Sequence, residues 1–509
     1  MTPLLKPNHF SHFALSHIRD LDVFYDPEAA VKRIIKIFQK HTEDIQRAFD
    51  RVCQGECPDA LETLAITKEA TYPYAAFIIE VKDLNKDVSL SYGVAHEPGV
   101  YGTTLTRPDI FAPYYREQFS LIMARHRVPV YIGTSNVSMP LPFVIDHTPT
   151  SLEPERMWQM QHSFVMPNLA RIDDNIANST YMTDVGEAKP LSLFPAERVE
   201  YSLQRLYHYT GTSPEHFQGF VLLTNYQRYV DEFIDFGLSE LKSNDLYTHF
   251  VMPGNVIHTN HRFDKSSIRG ETPRHLPQMP AYHLKTVDGK GITFINIGVG
   301  PTNAKNITDH LAVLRPHCWL MLGHCAGLRA NQILGDYVLA HAYVREDHVL
   351  DQDLPSWVPV PAIAEVQVAL EEAVMSIAEQ HNEDHDIHSL KMRVRTGTVV
   401  STDNRNWEIR IKELSERFRQ SRAIALDMES ATVAANGFRF RVPYGTLLCV
   451  SDKPLHGELK LKGMANTFYR ERVNQHLKIG LETCRILREK GVDQLHSRKL
   501  RGFDEPPFR

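Results

Sequence analysis

Apolar residues first recur at helical spacing between residues 28 and 53. Val31, Ile34, Ile35, Phe38, Ile45, Phe49 and Val52 fall on one stripe, with Lys, Arg, Gln and Asp between them, which predicts an amphipathic helix. Short runs follow that read as strands: Ala75–Val81, Val128–Ile132 and Leu141–Ile145. From Asp146 to about Ser192 the chain is polar and Pro-bearing with few periodic apolar positions, the pattern of an interdomain connection.

Beyond Gln218 the texture changes to apolar strands alternating with helices. The expected strands are Phe220–Thr224, Gly291–Asn296, Cys318–Leu322, Asp336–His341, Arg395–Ser401, Ile424–Asp427 and Gly445–Ser451. The expected helices are Tyr226–Leu241, Ala304–Leu314, Val360–Gln380, Ser430–Asn436 and Thr467–Arg488. Buried strands alternating with helices imply an α/β domain around a mostly parallel sheet. The first third does not alternate and reads as a separate α+β domain. The division expected is residues 1–185 and 186–509.

Composition narrows the function classes. The 509 residues carry 56 Lys and Arg against 62 Asp and Glu, a net charge of −6. A bulk nucleic-acid binder would show a basic excess, and the basic cluster Arg498–Arg501 is only four residues long. No apolar run is long enough to span a membrane, and the opening residues lack the pattern of a signal peptide. The six cysteines are sparse and unpaired in spacing, which suits a reducing cytoplasm. Cys53 and Cys57 are a lone pair, short of the two pairs a zinc site wants. His381, His385 and His388 lie in a hydrophilic stretch that reads as an exposed loop, so no metal is expected.

Ligands of open α/β sheets bind where strands end, and four strand ends carry chemistry. Asn296–Lys305 runs from a strand through Gly298 and Gly300 into a helix. Glycines let backbone N–H groups approach an anion at a helix N-terminus, although the same spacing serves a plain tight turn. Gly323–Arg329 is a run of small residues with His324, expected as a low loop; His324 suits a base, a ligand contact or a structural role. Leu426–Ser430 places Asp427 and Glu429 around Met428. A carboxylate there can accept from the two hydroxyls of a ribose, or serve as an acidic helix start. Val450–Pro454 ends its strand on Asp452, where a cleft can hold a carboxyl as a proton donor.

In that order, these four places resemble the purine nucleoside phosphorylase and nucleosidase superfamily, and within it the AMP nucleosidases. Further stretches carry the resemblance: 101–108, Arg205–Thr212, Thr224–Phe233, Arg395–Asp403, Ser451–Glu458 and His496–Arg501. It covers most of the chain, including the N-terminal domain that simple phosphorylases lack. It implies a nucleoside-phosphorylase-like fold and hydrolysis of AMP to adenine and ribose 5-phosphate. Asp452 corresponds to the acid that protonates the purine, Glu429 to the acceptor of ribose hydroxyls and Met428 to the residue packed on the sugar. Trp407 falls near the aromatic that stacks on the base. The phosphate-holding Gly-Asp-Pro-x-Arg loop of the phosphorylases is here Thr224-Asn-Tyr-Gln-Arg228, which keeps only the Arg. Met321 and His324 stand where phosphorylases offer Arg and Ser or Thr, which implies water as the nucleophile. Arg228 is then the candidate for the substrate's 5′-phosphate, with Lys305, Arg329, Thr104 and Arg107 as further candidates, and Gly300 is a candidate for binding substrate.

The resemblance also implies a cytoplasmic hexamer with no cofactor, activated by ATP and inhibited by phosphate, with control residing in residues 1–185. A phosphorylase with an appended domain and a catalytically dead nucleotide sensor are the alternatives.

Overall fold

The computed structural model describes residues 14–54, 60–84, 91–145, 160–184, 186–260, 268–379, 393–458, 466–495 and 500–509. Cys57, the His381–His388 stretch, the opening residues, residues 146–159 of the expected connection and residues 498–499 of the basic cluster lie outside them. The chain forms two compact units, one of residues up to Gln204 together with Gly502–Arg509, the other Arg205–Arg501.

In the first unit, strands β1 (Arg19–Phe24), β2 (Thr71–Ile79), β3 (Gly99–Thr104), β4 (Val130–Ser138) and β5 (Lys189–Pro190) form one sheet in the order β1-β4-β2-β3-β5. Helices α1 (Pro27–Cys53), α2 (Ala60–Glu69) and α3 (Pro108–His126) lie between the strands in sequence. The periodic stripe does form α1. Asp26 caps it by accepting from the Ala29 N–H at 2.9 Å, and Pro27 suits the first turn. Val31, Ile34, Ile45 and Phe49 are buried, and the last two pack with Tyr72, Met139, Leu141 and Phe164.

Leu141–Ile145 corrects one expectation. It is not a strand but a single helical turn, α4 (Leu141–Val144). Pro142 offers no N–H to a sheet ladder, while its fixed φ suits a helix start. The apolar run still reaches the core, since Leu141 is 3% exposed.

Helix α5 (Ala196–Thr210) contains the boundary between the units. The second unit then runs through β6 (Phe220–Thr224), α6 (Gln227–Ser243), β7 (His249–Met252), β8 (Val256–Thr259), β9 (Ile268–Arg269), β10 (Ala281–Lys285), β11 (Ile292–Asn296), α7 (Pro301–Leu311) and β12 (Cys318–Gly327). After these come β13 (Tyr337–Glu346), α8 (Ala364–Glu379), β14 (Val394–Thr402), α9 (Ile411–Ser421), β15 (Ala425–Asp427), α10 (Ser430–Phe440), β16 (Tyr444–Asp452) and α11 (Asn466–Lys490).

Their sheet has the order β15-β14-β13-β16-β12-β6-β11-β10-β7-β8-β9. It is mixed. β16, β12, β6 and β11 run parallel, as do β13, β14 and β15, and the two groups meet antiparallel at β13 and β16. β15 also pairs with the end of β12, Ala326 opposite Leu426, so five strands close into a barrel. Cys325, Val338, Ala340, Val399, Ala425, Leu448 and Val450 cluster among these strands.

Closure explains a second correction. Gly323–Gly327 is not a loop. It continues β12, in register with β16 as far as Ala326 opposite Asp452. A strand covered on both faces needs small residues where neighbours crowd it. A β-carbon on Gly327 would stand 3.0 Å from Val450 Cγ1 and 3.1 Å from Lys453 Cγ. His324 is thereby fixed on a rigid strand.

Candidate active site

The parallel strands β6, β11, β12 and β16 bring Asn225, the Gly298–Gly300 turn, His324 and Asp452 toward one set of carboxyl ends. Glu429 reaches this set from the junction of β15 and α10. Its side chain is 1% exposed. The Gly300 N–H donates to Glu429 Oε1 at 2.6 Å, and Asn225 Nδ2 donates to Oε2 at 3.0 Å. The anion taken by the Gly-x-Gly turn is therefore a protein carboxylate. Gly300 has φ +115° and open space where a β-carbon would sit, so the backbone conformation is what demands glycine there.

Asp427, two residues earlier, has a structural function in this arrangement. Ser401 and Ser430 hydroxyls donate to its two oxygens, and the Ser430 N–H donates to Oδ2 at 2.9 Å. The Ala431 N–H donates to Ser401 Oγ at 2.8 Å. This network satisfies the first N–H groups of α10 and fixes the peptide from which Glu429 projects. Met428 between them is half-buried.

Burial raises both carboxyls above their ordinary values, and the Asp427 charge raises Glu429 further. A raised folded pKa means that the folded state binds more protons than the unfolded one, so stability falls as pH rises. For Glu429 the loss begins at the ordinary value, 4.5, and continues through the raised one. Glu429→Gln removes that titration. Its melting temperature should vary less with pH than that of the unmodified chain above pH 4.5, as calorimetry at a series of pH values would show.

Asp452 ends β16. Ser451 Oγ donates to Asp452 Oδ1 at 2.6 Å and lies 3.3 Å from the Cys325 carbonyl. The next residue pins the loop. Lys453 Nζ donates to the Gln332 carbonyl at 2.8 Å and pairs with Glu458 at 2.7 Å. The carboxyl is thus oriented by its neighbour and carried on a fixed backbone.

The remaining candidates are more scattered. Arg228 is exposed at the start of α6. Lys305 on α7 points into an ionic group, 2.7 Å from Asp309 on the same helix and 3.5 Å from Asp353 beyond β13. Arg329 Nη2 donates to the Arg422 carbonyl at 2.7 Å. Trp407 is 5% exposed and packed edge-on against Phe418 at 5.7 Å in a cluster with Leu426 and Ala326. Arg107 lies in the first unit, in the left-handed region at φ 43°, paired with Asp109. Thr104 accepts from the Ala196 N–H at 2.9 Å in that same unit.

Sequence reasoning passed over Asn225, Ser401 and Ser430. Asn225 follows β6 directly, so its place at a strand end was a usable indication. Ser430, three residues after Asp427, had the spacing of a helix cap, whereas Ser401 gave no indication because its partner Asp427 is 26 residues away. A cavity of about 320 Å³ at the ends of β13 and β14 is lined by Glu346, His348, Thr402, Asp403, Arg410 and Arg417 among others. Among the described residues no group of three His, Cys, Asp or Glu could hold a metal ion.

The chain is similar to known proteins. Residues 29–188 match the family "Bacterial AMP nucleoside phosphorylase N-terminus", and residues 266–483 match "Phosphorylase superfamily". An AMP nucleosidase of Escherichia coli (strain K12) is 46% identical over 486 residues, 95% of this chain and 98% of that protein. A purine nucleoside phosphorylase of Plasmodium vivax is 27% identical over 207 residues, 40% of this chain and 78% of that one. The crystal structure of an AMP nucleosidase from Bacteroides thetaiotaomicron is 27% identical with a TM-score of 0.40, covering 57% of this chain and 98% of that one.

Proposed function

This chain belongs to the AMP nucleosidase family, and from that premise we infer that it is a hydrolase cleaving the N-glycosidic bond of AMP to adenine and ribose 5-phosphate. The observation that carries the reading is the clamp on Glu429, a buried carboxylate held by Gly300 and Asn225 at converging strand ends. It suits a ribose whose hydroxyls donate to it, and the bonds strengthen as positive charge grows on the sugar. Met428 packs on the sugar face. Asp452 gives its proton to purine N7, so that adenine leaves neutral. Arg228 is the nearest of the cationic candidates in sequence to the clamp residue Asn225, and it serves the 5′-phosphate.

The test is product analysis. In phosphate-free buffer, AMP should yield equal amounts of adenine and ribose 5-phosphate. Ribose 1-phosphate formed from adenosine on adding phosphate would instead indicate a phosphorylase.

The finer reading follows the family resemblance. The enzyme works in the cytoplasm as a hexamer without a cofactor, in purine salvage, activated by ATP and inhibited by phosphate. Cys318, Cys325 and Cys484 are buried thiols packed as small apolar groups, which suits a reducing compartment. Among the described residues no helix is long and apolar enough to cross a membrane. The N-terminal residues carry the control, with Arg107 and the threonines beside it as the anion-binding group. Residues 186–509 expressed alone should have lost ATP activation, or AMP cleavage altogether. An unchanged rate with an unchanged ATP response would refute that assignment.

A further inference from the structure

Three buried rings form a chain behind the strand ends. His324 Nε2 lies 3.4 Å from the Tyr229 hydroxyl, which lies 2.7 Å from His476 Nδ1. His476 Nε2 lies 2.9 Å from the Leu447 carbonyl. Tyr229 and His476 are fully buried.

The directions of these bonds follow from the last member. A carbonyl only accepts, so His476 Nε2 carries a hydrogen. Burial pushes the His476 pKa down to about 4, so the ring is neutral and its Nδ1 is a bare acceptor. Tyr229 must then donate to His476, and its oxygen accepts from His324 Nε2. His324 Nε2 therefore carries a hydrogen, and in the neutral form of the ring Nδ1 holds the lone pair. The carbonyl of Leu447 thus sets the tautomer of a ring two side chains away.

That ring stands among the groups of the site. Tyr226, next to Asn225, packs edge-on against it with centroids 4.5 Å apart. Asn225 in turn holds Glu429. Two residues along β12, Ala326 is opposite Asp452. We propose that His324 is the general base of the hydrolysis, its Nδ1 taking a proton from the attacking water, with Tyr229 and His476 as positioning residues that hold it in the basic tautomer.

The proposal rests on the hydrolase reading and supplies its missing step. As the C1′–N9 bond breaks, its electron pair leaves with adenine, whose N7 takes the Asp452 proton. The water oxygen bonds to C1′, and a water proton passes to His324 Nδ1. The proton gained by His324 balances the one given by Asp452. Among the described residues, the titratable groups against the ring include Tyr226, which caps α6, Tyr229 on α6, His476 from α11, and Cys449, its register partner on β16.

The experiment uses the full chain with AMP, following adenine and ribose 5-phosphate. His324→Gln keeps an N–H for Tyr229 but has no base. Its kcat should fall by about 10²–10³ with KM little changed, the usual worth of a positioned base. The acid limb of the kcat–pH profile should disappear with it, and added imidazole should restore part of the activity of His324→Ala. Tyr229→Phe should lower kcat by about tenfold and shift the acid limb without moving KM, because it frees the tautomer. Melting curves establish that each variant is folded. Near wild-type kcat in folded His324→Gln, or lost activity with an unaltered acid limb and no imidazole rescue, would overturn the proposal. Failure of the unmodified chain to release adenine would overturn the hydrolase reading instead.

Discussion

Asp452→Asn is expected to lower kcat for AMP by about 10²–10⁴ while leaving the fold and AMP binding nearly intact. The amide keeps the shape and can still accept from Ser451, so the bond at 2.6 Å that orients the group survives. It cannot give up a proton on the required scale. Adenine would then have to leave carrying negative charge, and the cationic sugar would form without that relief. Lys453, tied to the Gln332 carbonyl and to Glu458, holds the loop whatever stands at 452. Steady-state kinetics beside a melting curve checks this, and a folded variant with near wild-type turnover would remove Asp452 from the mechanism.

Glu429→Gln should act on kcat as well as on KM. A hydrogen bond to a charged group is worth about 1.5–3 kcal/mol, so loss of the charge facing two hydroxyls predicts a fall in kcat/KM of about 10²–10³. The variant also disturbs its own anchorage. One end of a Gln side chain is an NH₂ and cannot accept from both the Gly300 N–H and the Asn225 amide, which both donate to Glu429. The same assignment makes 2′-deoxy-AMP a poor substrate for the unmodified chain. Cleavage of the deoxy nucleotide at the rate of AMP would exclude the ribose clamp.

Much of the catalytic unit was legible because its elements are local. The apolar run Phe220–Thr224 matches its strand residue for residue, and the Gly-x-Gly turn, Met428-Glu429 and Ser451-Asp452 each fall at a strand end. Strand period, helix period and the need for positive φ at Gly298 and Gly300 act within a few residues, so they are written into neighbouring positions. The Leu141–Val144 turn escaped because an apolar run of that length suits either structure, and Pro142 decided it.

What the tertiary structure alone decided is pairing across long stretches of chain. Gly300 meets Glu429 across 129 residues, Asn225 meets it across 204, and Tyr229 meets His476 across 247. No local pattern encodes such contacts, since they arise only when β6, β11, β12 and β16 align in parallel and β15 closes on β12. That closure turned the small-residue run at 323–327 from an expected loop into strand. It also gave His324 a fixed partner, and with it a tautomer that follows from the buried carbonyl of Leu447.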